Sequence, residues 1–189
     1  IPRGRFWHAE LAGIAAGAAV GAAALAGIAA QGGDLAQRIA SLDATADTIG
    51  FDNANGQLTD LAVEAASFTG DLEGALEAVT NLANTDLTQD QLSSTLETLT
   101  GAALQFRETL SLEGIADGFQ ETLAIGEGAG SFLEFLERSG VNIDEFNDGL
   151  ALARQAGTDL DFALGVLGGT NAQGVIDSFR EQNEALIAS

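Results

Sequence analysis

Apolar residues recur at every third or fourth position along nearly the whole chain, and this spacing constrains the fold more than any other feature. One proline is present, Pro2, so no proline ring interrupts a helix further along the sequence. We therefore predict an all-α protein with no β-sheet, in which apolar stripes pack against one another as a core. Four stripes have this spacing: Leu58, Leu61, Ala65 and Phe68; Leu92, Leu96, Leu99, Ala103 and Phe106; Phe132, Phe135 and Leu136; and Val175, Phe179 and Leu186.

Residues that cap or end helices divide this pattern into segments. They predict one long apolar helix rich in Ala and Gly, followed by about seven short amphipathic helices. They also divide the chain into three regions: 1–33, 34–125 and 126–189. The boundary signals are Gly32–Asp34, the turn cluster 49–56, Thr88 with Gln91 as a capping box, the flexible link Gly126–Gly130, Ser139–Gly140, Thr158–Asp159 and Gly168–Gly169.

The predicted long helix is Leu11–Ala30, which contains no charged, hydroxyl or amide side chain. A helix of this size is about 30 Å long, similar to the hydrocarbon core of a bilayer. Arg3 and Arg5 precede it as on a cytoplasmic flank, and Trp7 is placed as an interface anchor. Gly13, Gly17 and Gly21 form a G-x-x-x-G-x-x-x-G pattern, a smooth helix face that another helix can approach closely, and Gly27 is also assigned to the predicted helix-packing or membrane face.

The environment of Leu11–Ala30 has three alternatives from the residues alone. Ala is the best helix former in water, which favours a helix packed against copies of itself in a soluble assembly. The uncharged run with basic and aromatic flanks favours a membrane-competent segment. A signal peptide with small residues near Ala29 is the third, although Glu10 and the absence of an initial Met count against it. Because the chain starts at Ile1, we expect a processed product or a piece of a longer protein.

Charge is distributed unevenly along a chain whose formal net charge is −21. Residues 1–33 carry a net +1, whereas residues 34–189 carry 27 acids and five Arg, a net −22. Such a body repels nucleic acid and anionic membrane surfaces. The acid excess and the absence of Lys predict adaptation to concentrated salt, where screening removes self-repulsion. The alternative is an Ala- and Gly-rich composition from a GC-biased genome with an acidic surface.

Few residues in the chain are suited to catalysis or to metal binding. There is no Cys, and His8 is the one histidine. The loop Asp52–Gly56 lacks the ligand spacing of a calcium site, so a turn is predicted there. Asp159 and Asp161 have no third ligand nearby in sequence, and the acids Asp144, Glu145 and Asp148 are predicted to form a solvated helix face.

We accordingly predict no enzyme activity, no cofactor and no metal. The one catalytic arrangement that the sequence allows would pair Arg107 or Arg154 with carboxylates.

The segment Ser131–Ser189 resembles a recurrent part of phage-type tail tape measure proteins. An F-L-x-F-L-x-x-x-G-V run leads into an acid-rich D-E-F helix, and an R-x-x-N-x-x-L-I helix follows a Gly-rich break. The stretch Gly32–Phe51 is similar to that family's passage from an apolar Ala/Gly helix into a D-x-x-A-x-x-I-G helix. The matching residues are Phe132, Leu133, Phe135, Leu136, Gly140, Val141, Asp144, Glu145, Phe146, Arg180, Asn183, Leu186 and Ile187.

The resemblance covers about two-thirds of the chain, which is more acidic than the family, lacks Lys and has the length of a fragment or a short member. It implies a helical protein inside the tail tube that sets tail length and assists genome passage through the host envelope. The implied partners are several parallel copies of the chain, tail-tube and tail-tip proteins, and the host membrane. The resemblance implies that DNA is only a passing cargo, which the acidic chain is expected not to bind. The implied location is the tail lumen of the virion, and the host membrane during infection.

Two other classes of function fit the residues. One is a membrane-active protein, such as a pore-former, a holin-like protein or an anchor with an acidic soluble head. The other is an acidic helical interaction domain, secreted or halophilic.

Overall fold

The computed structural model describes residues 33–49, 56–172, 174–176 and 178. The long apolar helix predicted at Leu11–Ala30 lies outside these residues. Within them, the predicted all-α class is confirmed, and no residue is in a strand. Eight helices with both ends described are present, and residues 172, 174–176 and 178 are helical as well, where about seven helices were expected after the apolar helix: α1 Gly33–Ile49, α2 Gln57–Thr69, α3 Leu72–Ala83, α4 Gln89–Gln105, α5 Leu112–Ile125, α6 Gly130–Arg138, α7 Ile143–Ala156 and α8 Asp159–Gly168.

The higher number reflects two breaks that are not among the predicted boundaries. Gly70 ends α2 in the left-handed region at φ 77°, and the Asp71 side chain then accepts the Gly74 N–H to start α3. Further along, the Ser111 side chain accepts the Gly114 N–H to start α5. Both breaks use ordinary capping chemistry.

The predicted boundaries that fall in the described residues are otherwise found close to their expected positions, whereas most of the predicted turn cluster 49–56 lies outside those residues. Thr88 and Gln91 form the predicted capping box of α4, with both reciprocal hydrogen bonds present. Helix α6 ends before Ser139, and α8 ends at Gly168. Thr158 takes the N-cap position of α8 as predicted, but its hydroxyl donates to the Ala153 carbonyl oxygen and makes no side-chain cap.

The core lies between α3 and α5 at the centre and the helices that surround them. Helix α3 packs against α1, α2, α4 and α5, and α5 packs in addition against α6 and α8. The stripes predicted on α2, α4 and α6 supply much of this core, since Leu58, Leu92 and Phe132 are fully buried. Of the fourth stripe, Val175 is half-buried, and Phe179 and Leu186 lie outside the described residues.

None of the helices in the described ranges combines the length and the apolar character needed to cross a membrane.

Candidate functional site

The candidate site residues predicted near the N-terminus lie outside the described residues. They are the glycine face and the interface anchors: Gly13, Gly17, Gly21, Gly27, Arg3, Arg5 and Trp7. Their packing against sister chains or lipid therefore stays a prediction. The segment that carries the tape measure resemblance is described as far as residue 178, apart from residues 173 and 177.

An aromatic cluster forms the centre of this resembling segment. The Phe132 ring stands edge-on to the Phe119 ring, with centroids 5.2 Å apart, and it contacts the rings of Phe135 and Phe146 at 6.3 Å. The Phe146 ring in turn lies 5.8 Å from the Phe162 ring. Edge-to-face and tilted pairs at these distances are favourable for aromatic side chains. The cluster therefore joins α5, α6, α7 and α8.

The approach of α6 to α5 requires a residue without a side chain at Gly118. A Cβ there would lie 2.7 Å from the Phe132 nitrogen and 2.8 Å from the Ala129 carbonyl oxygen. Thr122, one turn later and fully buried, donates its hydroxyl to the Gly118 carbonyl oxygen at 2.7 Å and accepts the Ala129 N–H at 3.0 Å. The start of α6 is thus fixed to α5 by packing and by a buried side-chain hydrogen bond.

The predicted flexible link Gly126–Gly130 is instead a hydrogen-bonded connection. Besides the Ala129 bond to Thr122, the Gly128 N–H donates to the Asn147 side-chain oxygen of α7 at 2.8 Å. The proposed boundary between regions 34–125 and 126–189 falls at this point and stays a prediction, although Phe119 and Phe132 pack across it.

The motif acids of α7 lie at its first turn and are exposed, as predicted. The Asn142 side-chain oxygen accepts the N–H groups of Asp144 and Glu145 and caps the helix. Carboxylates at this end are favoured by the helix dipole. Asp148, one turn further, is exposed too.

Within the described residues, Arg154 forms no ion pair with a carboxylate. Its guanidinium donates to the carbonyl oxygens of Leu123 at 3.2 Å and Ala124 at 2.9 Å, at the C-terminal end of α5. These carbonyls have no partner within their own helix, and a cation there is stabilised by the helix dipole. Arg154 is therefore a structural cap, which could not be predicted from sequence because the two positions are 30 residues apart.

Arg107, the other arginine considered for chemistry, lines a surface groove between the ends of α2, α4 and α5. The groove also contains Asp71, Glu108 and Glu113. Because these carboxylates outnumber the guanidinium, the groove does not suit an anionic ligand. The described residues include no group of three or more His, Cys, Asp or Glu placed to hold a metal ion.

Ion pairs in the described ranges involve two arginines and lie at the surface. Arg38 of α1 contacts Glu73 at 2.5 Å and Glu77 at 3.7 Å, which connects α1 to α3. Arg138 contacts Glu134 one turn earlier, and its guanidinium carbon lies 5.7 Å from the centroid of the Phe106 ring. Such exposed pairs contribute little stability individually.

No family model, curated protein or solved structure matches this chain. The likeness to tape measure proteins therefore depends on the quoted residues.

Proposed function

We propose that this protein is a structural component of a phage-type tail, similar to a tape measure protein, that lies in the tail lumen and assists genome delivery. One observation carries the proposal. The apolar residues on which the resemblance depends, among them Phe132, Phe135 and Phe146, are the residues that build the aromatic core. The polar residues of the same motif lie at a capped helix end and in solvent. This arrangement supports a structural role for the motif, as a length-determining scaffold requires.

The acidic surface supports the same proposal. Every described helix begins with an acidic first turn or, in the case of α6, carries the exposed Glu137, and the chain as a whole has a net charge of −21. A surface of this sign repels phosphates, so DNA would pass without binding. The proposed partners are copies of the chain itself and the proteins of the tail tube and tail tip.

Deleting residues 56–172 from the full-length tail protein tests this proposal. A continuous helix of this length would span about 175 Å at 1.5 Å per residue. A folded domain of the same size has a radius of gyration of about 13 Å and a diameter of about 35 Å. We expect tails shorter by about 35 Å if the bundle stays folded inside the tube, or by about 175 Å if it is unrolled there. Electron microscopy of purified tails measures the difference.

The exposed substitution Glu137→Gln keeps the chain length and serves as the control, with tails of unchanged length. Unchanged tails after the deletion would contradict a ruler role. If vesicles of mixed phospholipid also carried the protein upward in a flotation gradient, the membrane-active alternative would replace it. That alternative depends on Leu11–Ala30, which lies outside the described residues.

A further inference from the structure

A pocket of about 130 Å³ lies between helices α4 and α8, and its two walls differ in polarity. The described residues that line it are polar where they belong to α4, and are leucine or glycine where they belong to α8. They are Gln91, Ser94, Thr95 and Thr98 from α4, and Leu164, Leu167 and Gly168 from α8. None of these side chains carries a charge, although the net charge of the chain is −21. The lining therefore favours an uncharged ligand over an ion.

Thr95 brings a buried hydroxyl without a partner to this pocket. The residue is 2% exposed, and its hydroxyl forms no hydrogen bond within the described part of the chain. Several other threonines donate their hydroxyl to the carbonyl oxygen four residues earlier: Thr45, Thr69, Thr80, Thr98, Thr100 and Thr122. A buried hydroxyl without a partner lowers stability. A ligand that bonds to Thr95 in the pocket recovers this loss.

Gln91 supplies a second hydrogen-bonding group on the α4 wall. Its side-chain oxygen accepts the N–H of Thr88 at 2.9 Å and the Thr88 hydroxyl at 3.0 Å in the capping box. Its amide nitrogen makes no hydrogen bond within the described residues, so it remains available as a donor. Gln91 and Thr95 are four residues apart and therefore lie on the same face of α4. A ligand can contact both.

We infer that this pocket binds a small uncharged polyol, with its hydroxyl groups against α4 and its carbon chain against Leu164 and Leu167. An enclosed cavity of about 150 Å³ holds one benzene molecule. A pocket of about 130 Å³ therefore takes a ligand of about six non-hydrogen atoms, such as glycerol. A hydrocarbon of this size would leave the Thr95 hydroxyl without a partner. The inference goes beyond the proposed tail function and does not depend on it.

A titration of the ¹⁵N-labelled full chain with glycerol, followed by NMR, tests the site. We expect saturable chemical-shift changes confined to the backbone amides of residues 91–98 and 164–168. The dissociation constant should be about 10 mM, because a ligand of six non-hydrogen atoms makes few contacts. A parallel titration with 1-propanol, which has one hydroxyl, should give binding at least about fivefold weaker.

Thr95→Val removes the hydroxyl and keeps the shape of the side chain. We expect it to weaken glycerol binding about fivefold and to leave the thermal midpoint of unfolding unchanged or higher, because the hydroxyl has no protein partner. The matched control is Thr80→Val on α3, whose hydroxyl donates to the Leu76 carbonyl oxygen at 2.8 Å. It should bind glycerol like the parent.

Three outcomes would overturn the inference. They are shifts that grow linearly with glycerol or lie elsewhere in the chain, 1-propanol binding as tight as glycerol binding, and unchanged glycerol affinity in Thr95→Val. If Thr95→Val did not fold, the hydroxyl would have a structural role, and the two titrations of the parent chain would still decide whether the pocket binds a polyol.

Discussion

At the residue scale, Phe132 lies at the centre of the aromatic cluster. Its side chain is fully buried and touches three other phenylalanine rings that belong to α5, α6 and α7. Phe132→Ala removes these ring contacts and leaves a cavity, so we expect the free energy of unfolding to fall by about 3–5 kcal/mol. Phe132→Leu refills part of the volume and should lose less. Urea denaturation followed by circular dichroism measures both changes.

The control for Phe132 is an apolar residue outside the core. Leu152 on α7 is 67% exposed, so Leu152→Ala should change the free energy of unfolding by less than about 0.5 kcal/mol. A loss for Leu152→Ala equal to that for Phe132→Ala would mean that Leu152 is covered in solution and that the aromatic cluster is not the main source of stability.

Residues whose role depends on local spacing could be predicted from sequence, and residues whose role depends on distant partners could not. The burial of Phe132, Phe135 and Leu136 and the exposure of Asp144 follow from helical periodicity. The contact of Arg154 with α5 does not follow from periodicity, because it depends on how the 30 residues between the two positions fold. The pocket between α4 and α8 could not be predicted either, because a stripe of apolar residues does not specify which helix it will pack against.

At the element scale, the start of α4 and the start of α8 form a natural comparison. Thr88 accepts the Gln91 N–H in the capping box of α4, whereas Thr158 occupies the same position on α8 without a side-chain cap. We therefore expect Thr88→Ala to lower the free energy of unfolding by about 1 kcal/mol and Thr158→Ala to lower it by clearly less. Thr88→Ser keeps the hydroxyl and should be close to neutral. Chemical denaturation of the three variants tests the order, and a larger loss for Thr158→Ala would contradict it.

The boundaries of the elements were the most predictable feature of this chain, with two exceptions. Gly70 with Asp71 and Ser111 with Gly114 each mark a break that the apolar spacing conceals, because the stripe continues on both sides. At each break the sequence contains a capping residue with a glycine nearby: Gly70 comes directly before Asp71, and Gly114 comes three residues after Ser111. The glycine face predicted in Leu11–Ala30 lies outside the described residues and stays a prediction.

At the scale of the whole molecule, repulsion between carboxylates opposes folding. Residues 34–189 carry a net charge of −22, and the ion pairs found in the described ranges are exposed ones made by Arg38 and Arg138. Each such pair contributes about 0–1 kcal/mol and weakens in salt. Salt also screens the repulsion between carboxylates, and this repulsion involves many more charges than the ion pairs do. Repulsion should therefore dominate the response to salt.

We expect the thermal midpoint of unfolding to rise as NaCl increases from 0.01 M to 1 M, because the Debye length falls from about 30 Å to about 3 Å. The triple variant Asp117→Asn, Glu121→Gln and Asp148→Asn removes three exposed charges without touching a described ion pair. It should be more stable than the parent at 0.01 M and show a smaller rise with salt. Differential scanning calorimetry across the salt series measures both slopes. A midpoint that falls with salt would mean that the ion pairs of Arg38 and Arg138 outweigh the repulsion, and the acidic surface would then not be an adaptation to concentrated salt.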